Sequence, residues 1–245
     1  MAGFLPSQNG LHFDNFFPDG PAVQIDLGLA TLRIGNAANG LCGGMVFAAL
    51  DYWAAGRWPP EDRDPPASGT PLFRYLLRRL VESWHLPTGP LVYLRFMQPW
   101  HPDGNERLGP MTVHGRAWHM VVRQWPAVRA ELDRGWPCPL GLVKVASANP
   151  ADIGKNHQVL AYRYDVTGTT VGVHVYDPNQ ADNDDVTLSF EVADPPGPLS
   201  VAMTPDVSAA PGVRYFFRVP YRPKSPPAPK SPPRAAQRAG GDFPA

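Results

Sequence analysis

The spacing of apolar positions along the chain changes period once, and that change divides the sequence. From Cys42 to Gly56, "CGGMVFAALDYWAAG", apolar residues surround the helical wheel on nearly all sides and Asp51 is the only charge. A helix of that kind belongs at the centre of a fold. Gly56 and then Pro59-Pro60 stop it. After the polar, Pro-rich loop "PPEDRDPPASG", Thr70 stands as a cap for a second helix, "PLFRYLLRRLVESW", with Pro71 at its first position. Leu91 to Trp118 shows no sustained period and is expected to be irregular or to form short strands. "QWPAVRAELDRG" predicts a third helix, with Pro126 near its start and Gly135 just past its end.

Beyond Gly135 the period falls to two. "CPLGLVKV", "HQVLAYRYD", "TVGVHVYD", "VTLSF", "LSVAMT" and "VRYFFRV" read as strands separated by turns. Helices followed by strands, rather than alternating with them, predict an α+β fold with the Cys42–Gly56 helix packed on an antiparallel sheet. The proline distribution sets the expected boundary. From Pro220 the chain reads "PYRPKSPPAPKSPPRAAQRAGGDFPA", with "KSPP" twice and no large aliphatic side chain. Such a segment has little apolar surface to offset its ordering entropy. The expectation is therefore one folded domain over 1–219 and a disordered Pro-rich tail over 220–245, whose "PPAPKSPPR" offers an SH3-type contact as its one candidate partner.

Charge and composition restrict what the domain acts on. Lys plus Arg number 22 and Asp plus Glu number 22, so no net positive charge favours capture of nucleic acid or an anionic membrane. No apolar run is long enough to span a bilayer. The opening "MAGFLPSQNG" lacks a basic stretch followed by an apolar one, and the expected location is the cytoplasm. Two cysteines exclude a disulfide framework, and Cys138 reads as structural. No histidine spacing suits zinc, so neither metal nor cofactor is expected. His114 and His119 fall on different helical faces, and His85 and His101 stand alone beside aromatic residues.

Cys42 admits two readings. It is either a small core residue beside a tight turn or a nucleophile at a helix N-terminus. The strands decide between them. "HQVLAYRYD" turns at "VTGT" and returns as "TVGVHVYDPN". A turn near Thr167 and Gly168 sets Asp177 beside His157 or its neighbour, with paired Cβ atoms about 5 Å apart. Asp177 then ends a buried face, where a carboxylate requires a partner and an imidazole supplies one. Cys42, His157 and Asp177 thus stand in the order nucleophile, base, orienting acid. A helix N-terminus and a nearby imidazolium both favour a thiolate. Gly43 and Gly44 weaken the helix by about 1 kcal/mol each relative to Ala, which is reasonable where a substrate backbone must approach closely.

Three segments carry a family resemblance: "GLCGGMVFAALDYW", "ELDRGWPCPLGLV", and "NHQVLAYRYD" with "VHVYDPN". In this order the chain resembles the papain-like cysteine peptidases, most of all the C39-like peptidases, from about Gly35 to Asn179. The resemblance implies Cys42 as nucleophile, His157 as general base and acid, and Asp177 as the residue orienting it. The family places a Gln six residues before the nucleophile to help hold the oxyanion. Here that position is Asn36, with Asn39 a second candidate, and Asn179 could share or replace the role of Asp177. Gly-Gly after the nucleophile departs from the family and is expected to open the site. Glu61 to Trp118 has no counterpart there, so substrate selection is expected in that stretch. The implied function is a peptidase or amidase that cleaves an amide or ester of a peptide or small acyl substrate through a Cys42 thioester. The alternatives are an acyltransferase or cyclase using the same thioester, and a non-catalytic binding protein on the same scaffold.

Overall fold

Helical and strand residues fall where their periods change in the computed structural model of this chain. It describes residues 3–17, 40–192, 201–207 and 212–228 with side chains, and 23–26 and 31–34 by backbone alone. A short helix α1 (Pro6–Asn9) precedes a hairpin of β1 (Val23–Asp26) and β2 (Thr31–Ile34). Helix α2 (Cys42–Ala54) then crosses the centre of the molecule with Gly43 through Trp53 buried. Helix α3 (Pro71–Ser83) starts at Thr70, whose hydroxyl accepts from the Phe73 N–H at 3.3 Å, and Pro71 occupies the first turn.

The stretch read as irregular or short strands is partly helical. Helix α4 (Thr88–Met97) buries Pro90, Tyr93, Phe96 and Met97, an i, i+3, i+6, i+7 stripe. Its run of aromatic and branched residues mimics a strand locally, and the tertiary contact of that stripe selects the helix. A two-stranded hairpin, β3 (Glu106–Leu108) and β4 (Met111–Val113), stands on the surface. The third expected helix, α6 (Trp125–Asp133), has a longer lead-in. It continues from α5 (Arg116–Trp118) through a π-helical turn, His119–Gln124.

The main sheet is a six-stranded antiparallel one in the order β10-β5-β6-β7-β8-β9. Its strands are β5 (Cys138–Val143), β6 (His157–Thr167), β7 (Thr170–Tyr176), β8 (Thr187–Glu191), β9 (Ala202–Thr204) and β10 (Tyr215–Arg218). Every strand expected from the alternation is present, and the fold is α+β. Val201 bridges Val213, so the two ends of the sheet approach one another and the sheet curls. Between β6 and β7 the turn falls at Gly168 and Thr169, where Gly168 has φ +60°. An irregularity at Tyr162 shifts the register so that Leu160 faces Tyr176. One further step sets Asp177 across from Val159, diagonal to His157.

The depth at which α2 sits is set by its glycines. A Cβ on Gly44 would lie 2.2 Å from the Leu76 carbonyl oxygen of α3, and one on Gly43 would lie 2.2 Å from Ser83 Oγ and 2.8 Å from Gln158 Oε1 of β6. Both glycines are therefore consumed by packing of α2 on α3 and β6. The expectation that they admit a substrate backbone and open the site is corrected by this contact.

The expected boundary at Val219 is also revised. Residues 221–228 lie along α2 and α3, joined to the far end of α2 by polar contacts. Tyr221 Oη and the Lys224 N–H donate to Asp51 Oδ1 at 2.7 and 2.8 Å, and Tyr75 Oη donates to Asp51 Oδ2 at 2.7 Å. Arg79 Nε lies 2.7 Å from Asp51 Oδ2, and its Nη2 donates to the Arg222 carbonyl at 3.0 Å. Tyr52 Oη and Arg57 Nη1 donate to the Pro227 and Pro226 carbonyls at 3.0 and 3.3 Å. An extended Pro-rich segment offers carbonyls with no internal partner, and here the domain supplies the donors. The tail is thus docked over its first residues, and the two proline carbonyls of the first "KSPP" repeat are engaged within the chain. Residues 229–245, which hold the rest of the expected SH3-type ligand, lie outside the described residues.

Burial pushes the Asp51 carboxyl up, while Tyr75, Tyr221, Arg79 and the Lys224 N–H act against it. Deleting everything after Val219 removes two of those donors from a buried carboxylate. We expect that deletion to destabilise the protein by about 3 kcal/mol in urea unfolding, whereas deletion after Ala228 should change stability by less than about 0.5 kcal/mol. Equal stability of the two truncations would contradict the docked segment.

Candidate active site

Cys42 is the first residue of α2, half-buried, and no side chain caps that helix end. The first N–H groups of a helix have no acceptor within it, so donors and a positive potential gather where the thiol stands. His157 opens β6 and pairs with Leu142 of β5, which brings the imidazole to the strand end beneath the α2 terminus. The His157 ring and the Cys42 side chain line the same cleft.

The third group arrives from the end of β7. Asp177 Oδ1 lies 2.6 Å from His157 Nε2, with both side chains buried. A carboxylate only accepts, so Nε2 carries the proton in this pair, leaving Nδ1 as the ring nitrogen free to serve the thiol. Asp177 Oδ1 also accepts from the Asn179 N–H at 2.9 Å, and Oδ2 accepts from Gln180 Nε2 at 3.3 Å. Burial acts to raise the Asp177 carboxyl, but His157, the Asn179 N–H and Gln180 outweigh it and hold it below the ordinary carboxylate range. For His157 the balance runs the other way. Burial alone would push it down, yet Asp177 and Cys42 drive it up to about 10. Both neighbours thus favour the protonated ring.

Cys42 and His157 line a cleft with about 310 Å³ of empty space, part of it open to solvent. Its walls include Leu80 and Trp84 of the α3 end, Tyr93 of α4, and Asn156 and Gln158 flanking the histidine. Besides the Cys42–His157 pair this wall is uncharged. Tyr93 Oη donates to the His157 carbonyl at 3.1 Å, fixing the backbone beneath the imidazole. Tyr93 and Gln158 escaped the sequence reading. Tyr93 lies in the stretch without a readable period, while Gln158 is a polar residue inside an apolar strand run and was the available signal. Trp84 and Tyr93 fall within the stretch expected to select the substrate.

Of the oxyanion candidates, Asn36 and Asn39 lie outside the described residues. Asn179 is close to the ring, with Nδ2 3.5 Å from His157 Nε2. Its amide nitrogen faces the imidazole, and its oxygen accepts from Asn15 Nδ2 at 3.1 Å. Asn179 therefore does not offer the acceptor that would let it replace Asp177. His101 does lie edge-on to Phe96, but the histidines do not stand apart from one another. His101 and His114 each approach His119, at ring-centroid distances of 6.4 and 6.5 Å, around Phe96 and Trp118. Among the described residues no group of three or more His, Cys, Asp or Glu is placed to hold a metal ion, and no helix is long and apolar enough to cross a membrane.

Comparison with protein families, with curated proteins and with solved structures returned no match. Cys138 provides an internal control, because burial pushes its thiol up to about 12. Under a dilute alkylating agent at about pH 6, Cys42 should label at least a hundredfold faster than Cys138, as read by mass spectrometry of the two peptides. Equally slow labelling of both would contradict an activated Cys42.

Proposed function

We propose that this chain is a papain-like cysteine hydrolase that cleaves an amide or ester through a thioester on Cys42. The observation that carries the reading is the buried His157–Asp177 contact of 2.6 Å beside a cysteine at an uncapped helix N-terminus. The sulfur attacks the carbonyl carbon of the substrate, and the carbonyl π pair moves to oxygen. Backbone N–H groups at the start of α2 stabilise that oxyanion. On collapse the carbon–nitrogen or carbon–oxygen bond breaks, and His157 delivers its Nδ1 proton to the leaving group. The now neutral ring takes a proton from water, whose oxygen attacks the thioester. The acid departs and the sulfur leaves as thiolate. Asp177 holds the ring and stabilises its charge throughout.

Incubation with a p-nitrophenyl ester, followed by acid quench and peptide mass mapping, tests the proposal. Wild type should carry an acyl mass on Cys42 and turn the ester over, while Cys42→Ser should do neither. His157→Ala should abolish turnover. Asp177→Asn preserves size, but its amide can present a donor in place of an acceptor. Because the proton already resides on the ring before attack, a loss of about 10–10³-fold is expected, smaller than the roughly 10⁴-fold seen when a serine nucleophile depends on its base. An acyl group on Cys138 alone, or turnover unaffected by Cys42→Ser, would overturn the reading. If Cys42 proved inert to acylation, a binding function on this scaffold would replace it.

A further inference from the structure

The N-terminal segment ahead of the β1–β2 hairpin is tied closely to the loop that follows β7. The Ser7 N–H and Oγ donate to Asp184 at 2.8 and 2.6 Å, His12 Nδ1 lies 2.5 Å from Asp182 Oδ1, and the Ala181 N–H donates to Asp14 Oδ1 at 2.8 Å. At the end of this seam is Asn15, whose N–H donates to the Pro178 carbonyl at 2.8 Å. Its side chain makes two further bonds, one to each half of the proposed site. Asn15 Oδ1 accepts from the Leu41 N–H at 2.6 Å, and Asn15 Nδ2 donates to Asn179 Oδ1 at 3.1 Å. Leu41 is the N-cap residue of α2, immediately before Cys42.

The polarity of this chain is fixed from one end. A backbone N–H can only donate, so the Asn15 atom facing Leu41 is the oxygen, and its nitrogen must face Asn179. Asn179 then accepts with its oxygen and turns its own NH₂ toward the ring, 3.5 Å from His157 Nε2. The proton on Nε2 is left with a single acceptor, Asp177. A carboxamide free to rotate would instead offer a second acceptor and draw the ring away from the carboxylate. Gly40 supports the same arrangement, since a Cβ there would lie 2.2 Å from Asn15 Nδ2.

We propose that Asn15 is a positioning residue that locks the nucleophile end of α2 to the Asp177–Asn179 turn and orients the Asn179 amide against His157. This inference rests on the reading of Cys42 as the nucleophile. Asn15 touches neither the sulfur nor the imidazole, so it acts through Leu41 and Asn179.

The test is the pH profile of Cys42 alkylation in the full chain, with thermal melting recorded beside it. In wild type Cys42 should already react at about pH 6, well ahead of Cys138. Asn15→Ala should slow the reaction at about pH 6 roughly tenfold and make it rise with pH, because the two halves of the site lose their register. Asn15→Asp keeps an acceptor for Leu41 but has no N–H for Asn179, and should show a rising profile too. Asn179→Ala cuts the same chain at its other end. It decides the matter if Asn15→Ala does not fold, and the double variant should be no slower than the slower single variant. Profiles for Asn15→Asp and Asn179→Ala that keep the wild-type shape and stay within twofold of it would overturn the inference. A wild-type Cys42 that reacts no faster than Cys138 would instead remove the nucleophile reading, and this inference with it.

Discussion

The close approach of α2 to α3 and β6 is the constraint on which the rest of the structure depends. With the Leu76 carbonyl 2.2 Å from a hypothetical Gly44 Cβ, any other residue at 44 forces backbone atoms apart. Side chains at positions 43 and 44 would lift the helix from the sheet, and its first residue is Cys42. The helix pays for its glycines in propensity at about 1 kcal/mol each, and the tertiary contact offsets this by burying Met45 through Trp53. Depth at this contact decides whether the sulfur meets the imidazole, because His157 is held independently by β5 pairing and by the Tyr93 hydroxyl.

Two buried carboxylates then serve opposite ends of the assembly. Asp51, near the C-terminal end of α2, gathers Tyr75, Arg79, Tyr221 and the Lys224 N–H, and so fastens the chain's Pro-rich segment to the central helix. Asp177, just past the end of β7, gathers His157, Gln180 and the Asn179 N–H. An isolated charge at either site would be costly, and donors from distant parts of the chain make each tolerable. The difference lies in the partner. Asp51 is matched by a guanidinium that stays charged, whereas Asp177 is matched by an imidazole that can give up its proton. Only the second arrangement can do acid–base chemistry.

Much of this was legible in the sequence because local pattern decided it. The all-round apolar helix, the Thr70-Pro71 start of α3 and the alternating strands rest on period and capping, and each is found in place. The His157–Asp177 contact followed from hairpin geometry, although the irregularity at Tyr162 makes it diagonal rather than directly cross-strand. What escaped depends on partners far along the chain. Helix α4 has a strand-like composition and is selected by its buried face. The segment after Pro220 has no large aliphatic side chain, and it is held by Asp51, by donors from α2 and α3 and by the Tyr221 ring against Phe47. Gly43 and Gly44 looked like space for a ligand when they were space for a neighbouring helix. Asn15, in "FDNFF", has no periodic or spacing signal, since its partners lie at Leu41 and Asn179.

The central claim is that the buried ring of His157 is an imidazolium held between Asp177 and Cys42, and nitrogen-detected NMR of that ring across pH measures it directly. The value of about 10 set by those two neighbours predicts a ring that remains doubly protonated through about pH 8 in wild type and titrates at lower pH in Cys42→Ser. A ring that loses its proton near the ordinary histidine value of about 6.5 in both proteins would contradict the account.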